Sequence, residues 1–279
     1  MDQVFPELTE DVIARMAGAS PRLGSVMTLL IRHLHSFVRE AELTQEEWQT
    51  GIEFLTRTGQ MCSDTRQEFI LLSDILGISM LVDAVAHQSG EDVTDSTVLG
   101  PFYTGRQREL SKGDSILLRD EEGEPLIMKG RIAGPDDRPL VGAHIEVWQT
   151  APNQLYDVQD EDQPRGHLRA TFRTDEQGEY EFRTILPVSY PIPYDGPAGL
   201  LLQSLGRHPF RPAHVHFMIS APGFKKLVTH LFLDGDKYLE SDAVFGVKPS
   251  LVVRPVRQGD AWTIAYDFSL PRATEPKPA

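Results

Sequence analysis

Two observations predict a mainly β protein with an α-helical N-terminal region. Before about residue 100, apolar residues recur at three- and four-residue steps, the spacing of one helix face. Beyond it, short runs rich in β-branched and aromatic residues are separated by Pro, Gly, Asp and Asn, the texture of a β-sandwich. The expected organisation is a helical domain over 1–98, a β-sandwich domain over 99–270 and a frayed tail over 271–279, where three prolines fall in nine residues.

The elements follow in order. Val26, Leu29, Leu30, Leu34, Phe37 and Val38 form one apolar stripe and predict a first helix, with His33 and His35 on it as surface or interface residues. Thr44 and Glu47 have the spacing of a capping box, opening a second helix through Trp48, Ile52 and Leu55. Asp64 can cap a third, long helix through Phe69, Leu72, Ile75 and Leu76 towards Val85. It is the most apolar of the three and is expected to pack against the rest of the protein. Strands are predicted at 144–148, 180–184, 214–217, 228–233 and 262–268, with a turn at 175–178. The connection 186–212 is rich in Pro and Gly and lacks a strand pattern; long segments of this kind are often functional. Trp48, Trp148 and Trp262 are expected as core anchors and His144 as a structural residue.

Composition narrows the class of activity. A formal net charge of -14 argues against nucleic-acid or anionic-membrane partners, both of which need a basic face. A single cysteine, Cys62, excludes an intrachain disulfide and a thiolate zinc cluster. There is no long uncharged apolar run and no basic leader, so no membrane insertion and a cytoplasmic location are expected.

The chemistry concentrates at His214-Val215-His216. On a strand, alternate side chains share a face, so the two imidazoles stand side by side as half of a metal site. Arg211 lies three residues earlier, and Pro212 keeps its approach extended. A permanently charged guanidinium beside a metal favours an anionic ligand or intermediate there. The remaining ligands are open on this basis. Carboxylates are plentiful, which suits a two-histidine, one-carboxylate iron site, but nearby Asp234 and Asp236 occupy turn-like positions. Tyr156 and Tyr190 lie in irregular segments, and a phenolate ligand needs a strongly acidic metal, such as ferric iron, to ionise at neutral pH. His208 and His230 are candidates for neighbours of the site. A zinc hydrolase and a non-catalytic β-sandwich binding module with a bystander histidine pair are the competing classes.

An ordered set of segments resembles the intradiol ring-cleavage dioxygenases. It comprises Leu99-Gly100-Pro101-Phe102-Tyr103, residues 143–149, Arg173-Thr174-Asp175 with Gly178-Glu179-Tyr180, Tyr190-Pro191-Ile192-Pro193 with Asp195-Gly196-Pro197, and Gly206-Arg207-His208 through Arg211 to Phe217. Thr97-Val98, Ser189 and the run Ser241-Asp242-Ala243-Val244-Phe245-Gly246-Val247-Lys248 bring it nearest to family members acting on hydroxyquinol, with those acting on catechol as neighbours. The resemblance implies one Fe(III) per chain held by Tyr156, Tyr190, His214 and His216. It gives Arg211 the stabilisation of substrate charge and Tyr190 an exchangeable, proton-accepting role. It implies pocket walls from Leu71, Asp74, Val98, Leu99, Gly100 and Val244, with hydroxyquinol or a related catechol and dioxygen as substrates. A homodimer through the N-terminal helices, sometimes holding a phospholipid, is also implied. One departure stands out: Gln154 and Leu155 occupy the positions where the family often has a glycine before its first ligand tyrosine.

Overall fold

Helical periodicity before residue 100 becomes helix, although not as one continuous series. The computed structural model describes residues 6–63, 66–87, 93–105 and 107–273. The chain divides into two compact units, Met1–Arg57 and Thr58–Ala279, a division that falls ahead of the compositional one at 98/99. In the first unit, α1 (Pro6–Ala14), unforeseen in the sequence, packs on α2 (Pro21–Glu40), where Thr9 Oγ1 lies 2.9 Å from His35 Nδ1. Helix α3 (Gln45–Gln60) opens on the expected capping box: the Glu47 backbone N–H donates to Thr44 Oγ1 at 3.2 Å, and the Thr44 N–H donates back to Glu47 Oε2 at 2.9 Å. Trp48 on this helix is 48% exposed, so it is no core anchor.

The long third helix is in fact two, α4 (Glu68–Ile75) and α5 (Ile78–Ala86), bent by 78°. Gly77 between them takes φ +72°, a left-handed conformation that stops the first and redirects the chain. The apolar period continues through the break, which is why the sequence reads as one helix. Asp64, its predicted cap, lies outside the described residues. The expected packing holds only in part: Leu71 and Ile75 of α4 are buried, whereas Phe69, Leu76 and Val85 are exposed and α5 buries no residue. No single described helix is long and apolar enough to cross a membrane.

Among the described residues the β region forms one two-stranded pair and two five-stranded sheets. One contains β1 (Pro125–Ala133), β4 (Glu179–Ile185), β10 (Val256–Gln258), β11 (Ala261–Ala265) and β12 (Phe268–Ser269). The other runs in the order β3 (Arg169–Arg173), β2 (His144–Trp148), β7 (His214–Ser220), β8 (Leu227–Leu233), β9 (Val252–Val253). Their inner faces share one core, in which Leu126 and Met128 of the first sheet join Ile145, Val147, Val215 and Phe217 of the second. Strands β1 and β3 were not foreseen. The connection 186–212 is not structureless: it holds α6 (Pro197–Ser204) and the hairpin of β5 (Tyr190–Pro191) with β6 (Phe210–Arg211).

Strand alternation places the chemistry. On β7, Val215, Phe217 and Ile219 point into the core between the sheets, so His214, His216 and Met218 take the opposite face. A second cluster, of Phe102, Trp148, Tyr156, Tyr190 and Met218, covers that outer face. The register across the sheet aligns Arg169, Trp148, His216 and His230 in one row, with His214 opposite Phe232 in the next.

Candidate active site

Four donor atoms converge on the outer face of this sheet. Tyr156 Oη lies 3.2 Å from Tyr190 Oη and 2.9 Å from His216 Nε2, and His214 Nε2 lies 3.1 Å from His216 Nε2. All four residues are 3% exposed or less. His214 Nδ1 lies 2.7 Å from the Pro212 carbonyl, which only accepts, so Nδ1 carries the proton and Nε2 offers its lone pair to the centre. His216 is held by Trp148, whose ring stacks on it at 4.6 Å and 14°. Thus one of the expected core anchors proves to be the support of an imidazole.

Tyr156 reaches the centre from a tight loop. Gln154 takes φ +69°, the conformation that a glycine in this place adopts without strain, and so the backbone path to Tyr156 is kept by a residue with a side chain. The Tyr156 ring is stacked on Phe102 at 4.5 Å, and the Arg169 guanidinium sits 5.5 Å from its centroid, itself paired with Asp157 at 2.5 Å. Tyr190 arrives on β5, outside the two main sheets.

Charge is arranged around these donors. Burial holds the imidazoles of His214, His216 and His230 well below their usual range, so they are neutral. Burial also pushes Tyr156 well above the ordinary phenol range, reinforced by Tyr190, and raises Tyr190, against which Arg211 pulls back. Both phenols therefore keep their protons unless a strongly polarising cation displaces them. The donor set fits such a cation: adjacent donors about 3 Å apart suit bonds of about 2 Å to a shared ion. Two phenolates would also supply negative charge, which three histidines could not.

A trio of His214, His216 and His230 is the other donor group here, all within 4.8 Å of one another. His230 Nδ1 lies 3.4 Å from Arg211 Nη2, beside a positive charge. Arg211 forms a two-bond pair with Asp242, Nε to Oδ1 at 3.1 Å and Nη2 to Oδ2 at 3.2 Å, while its Nη1 lies 3.3 Å from His214 Nε2. Burial opposes the Arg211 charge, but the charge and hydrogen bonds of Asp242 outweigh it, and the guanidinium stays charged.

The residues expected as pocket walls fall into two groups. Leu71, Val98 and Val244 share one apolar cluster with Ile75 and Ala243. Asp74 lies beside it, its carboxyl raised above the usual range by burial. Leu99 and Gly100 instead line a cleft of ≈ 360 Å³ with Phe102, Tyr103 and Val158. Gly100 stands over His216, where an added Cβ would come 3.5 Å from the ring. His208 is set apart from the cluster, paired with Ser241 at 2.9 Å. Asp242 went unassigned in the sequence because nothing local marks a carboxylate 31 residues away as the partner of Arg211.

A phenol- and imidazole-bearing site on the outer face of a β-sandwich, in a chain whose N-terminal region is helical, defines a class. Residues 98–272 match the dioxygenase family model and residues 20–94 the catechol dioxygenase N-terminus model, and the chain belongs to the intradiol ring-cleavage dioxygenase family. It is 50% identical to a 6-chlorohydroxyquinol 1,2-dioxygenase of Cupriavidus pinatubonensis, over 94% of this chain and 96% of that one. It is 48% identical to a hydroxyquinol 1,2-dioxygenase of Rhizobium sp., over 94% of each. The crystal structure of a hydroxyquinol 1,2-dioxygenase from Pseudomonas putida superimposes with a TM-score of 0.88 at 45% identity, covering 95% of this chain and 98% of the other.

Proposed function

We propose that this chain is a non-haem Fe(III) enzyme that opens hydroxyquinol (1,2,4-trihydroxybenzene) with dioxygen to 3-hydroxy-cis,cis-muconate, which tautomerises to maleylacetate. The bond between the two adjacent hydroxyl-bearing carbons breaks, and both atoms of dioxygen enter the two new carboxylates. The convergence of Tyr156, Tyr190, His214 and His216 beside a buried Arg211–Asp242 pair carries this reading. The names of the relatives support the triol over plain catechol, and one of them extends the substrate class to chlorinated triols.

One Fe(III) per chain would be held by Tyr156, Tyr190, His214 and His216. When bound, ferric iron favours the doubly deprotonated diol and makes its ring reactive towards dioxygen. Tyr156 is the permanent donor, fixed between Phe102 and Arg169. Tyr190, on its separate strand pair, would take a substrate proton at Oη. Arg211, aimed by Asp242, offsets negative charge on the bound ring, a preorganised role that needs no rearrangement during reaction. Asp74, its carboxyl raised above the usual range by burial, hydrogen-bonds the third hydroxyl and selects the triol. Leu71, Val98 and Val244 pack one side of the ring, and Leu99 and Gly100 bound the entrance.

The exposed apolar residues of α2 and α3, among them Leu29, Phe37, Trp48 and Ile52, support a homodimer through the N-terminal helices, with a phospholipid held there. Residues 99–270 form the catalytic domain, and the enzyme works in the cytoplasm. Oxygen uptake with hydroxyquinol, catechol and chlorocatechol on iron-quantified protein tests the reading. The expected protein is red-brown from tyrosinate-to-iron charge transfer and prefers hydroxyquinol. A colourless, iron-loaded, active protein refutes the tyrosine ligands, and a catechol preference refutes the substrate.

A further inference from the structure

Arg207 is half-buried and makes no ion pair among the described residues. Its donors go to backbone: Nη1 donates to the Ile75 carbonyl at 2.5 Å and Nη2 to the Ala243 carbonyl at 2.9 Å. Ile75 ends α4, so its carbonyl is one of those a helix terminus leaves without an intrahelical partner. The same guanidinium lies 4.6 Å from the centre of the Phe245 ring. A planar fork without a carboxylate, divided between two carbonyls, is placed for geometry rather than for charge.

The segment it grips is strained and closely held. Phe245 takes φ +60°, a region bulky side chains avoid. The turn is kept by Asp242 Oδ2, which accepts the Gly246 N–H at 2.9 Å, and by Thr97 Oγ1, which donates to the Gly246 carbonyl at 3.1 Å. A Cβ on Gly246 would come within 2.8 Å of Arg211 Nη2, so this loop presses directly on the Arg211–Asp242 pair. The two carbonyls bound by Arg207 therefore belong to two different walls. Ile75 follows Asp74 on α4, and Ala243 precedes Val244 in the loop.

We propose that Arg207 is a positioning residue that sets the gap between α4 and the 242–246 loop, and through that gap the preference for a triol over a diol. The inference rests on the substrate reading above, in which Leu71, Asp74 and Val244 surround the ring.

Full-length, iron-loaded wild type, Arg207→Met and Phe245→Gly are compared by kcat/KM for hydroxyquinol and catechol, iron content and thermal unfolding. Arg207→Met is expected to keep its iron and to lower the hydroxyquinol-to-catechol ratio about tenfold, chiefly through KM for hydroxyquinol, since small misplacements are costly. Phe245→Gly relieves the left-handed strain, so its unfolding temperature should hold while the ratio falls in the same direction. A purely structural residue would depress both substrates in parallel. An unchanged ratio in Phe245→Gly, or in iron-retaining Arg207→Met, overturns the proposal, and if Arg207→Met does not fold, Phe245→Gly decides. A wild type without triol preference overturns the substrate reading and this proposal together, and is told apart because it is seen in the unmodified enzyme.

Discussion

Replacing Arg211 by Met leaves Asp242 as a buried carboxylate without its cation. The two side chains are 3% and 2% exposed and joined by bonds of 3.1 and 3.2 Å. Only backbone donors remain to Asp242, chiefly the Gly246 N–H at 2.9 Å. Breaking a buried pair from one side costs about 3–5 kcal/mol, because the surviving charge is uncompensated. For a domain of this size that lowers the unfolding temperature by roughly 6–20 °C. In the double variant Arg211→Met/Asp242→Asn both charges go, and stability should return to within about 1–2 kcal/mol of wild type. Turnover should not return. Loss of a preorganised donor to developing charge costs about 10²–10³-fold, whether or not the fold is relieved. Thermal unfolding and oxygen uptake on the four members of the cycle, each with iron quantified, separate these effects. Additive destabilisation would refute the pair as a coupled unit. Recovery of turnover in the double variant would refute the electrostatic role of Arg211.

Other changes give equally specific outcomes. Burial raises the Asp74 carboxyl above 3.8, so the folded state binds its proton more tightly than the unfolded state does. Below the unfolded value both states are protonated and nothing is lost; as pH rises through the folded value, that stability disappears. Asp74→Asn should therefore be more stable than wild type in urea at neutral pH, with the gap closing in acid; a gap that widens in acid refutes the reasoning. Asp74→Ala should lower the hydroxyquinol-to-catechol ratio in parallel assays, and an unchanged ratio refutes Asp74 as the selector. Gln154→Gly should be neutral or stabilising by up to about 1 kcal/mol with iron unchanged, and Gln154→Val destabilising by about 1–2 kcal/mol, both read by thermal unfolding. Equal stability of these two would mean that φ +69° at this position carries no strain.

The histidine pair was legible because strand period is local: His214 and His216 share a face wherever the strand lies in the fold. The capping box at Thr44 and Glu47 was legible for the same reason, its partners being three residues apart. The helix break was not, since the apolar period runs on through Gly77 and only its left-handed backbone redirects the chain. Nor was α6, hidden among the prolines and glycines of 186–212. The tyrosines were visible as loop residues, and the family resemblance singled them out. Their meeting at 3.2 Å depends on a loop and a hairpin brought together over one sheet face. By itself, then, the sequence determined which residue types were available and which of them share a local face. Tertiary structure alone decided that Trp148 backs His216, that His230 stands opposite it on β8, that Asp242 aims Arg211, and that Arg207 joins α4 to the Val244 loop. The physical reason is that strand register and loop closure couple residues distant in the chain, and such couplings leave no periodic trace in the sequence.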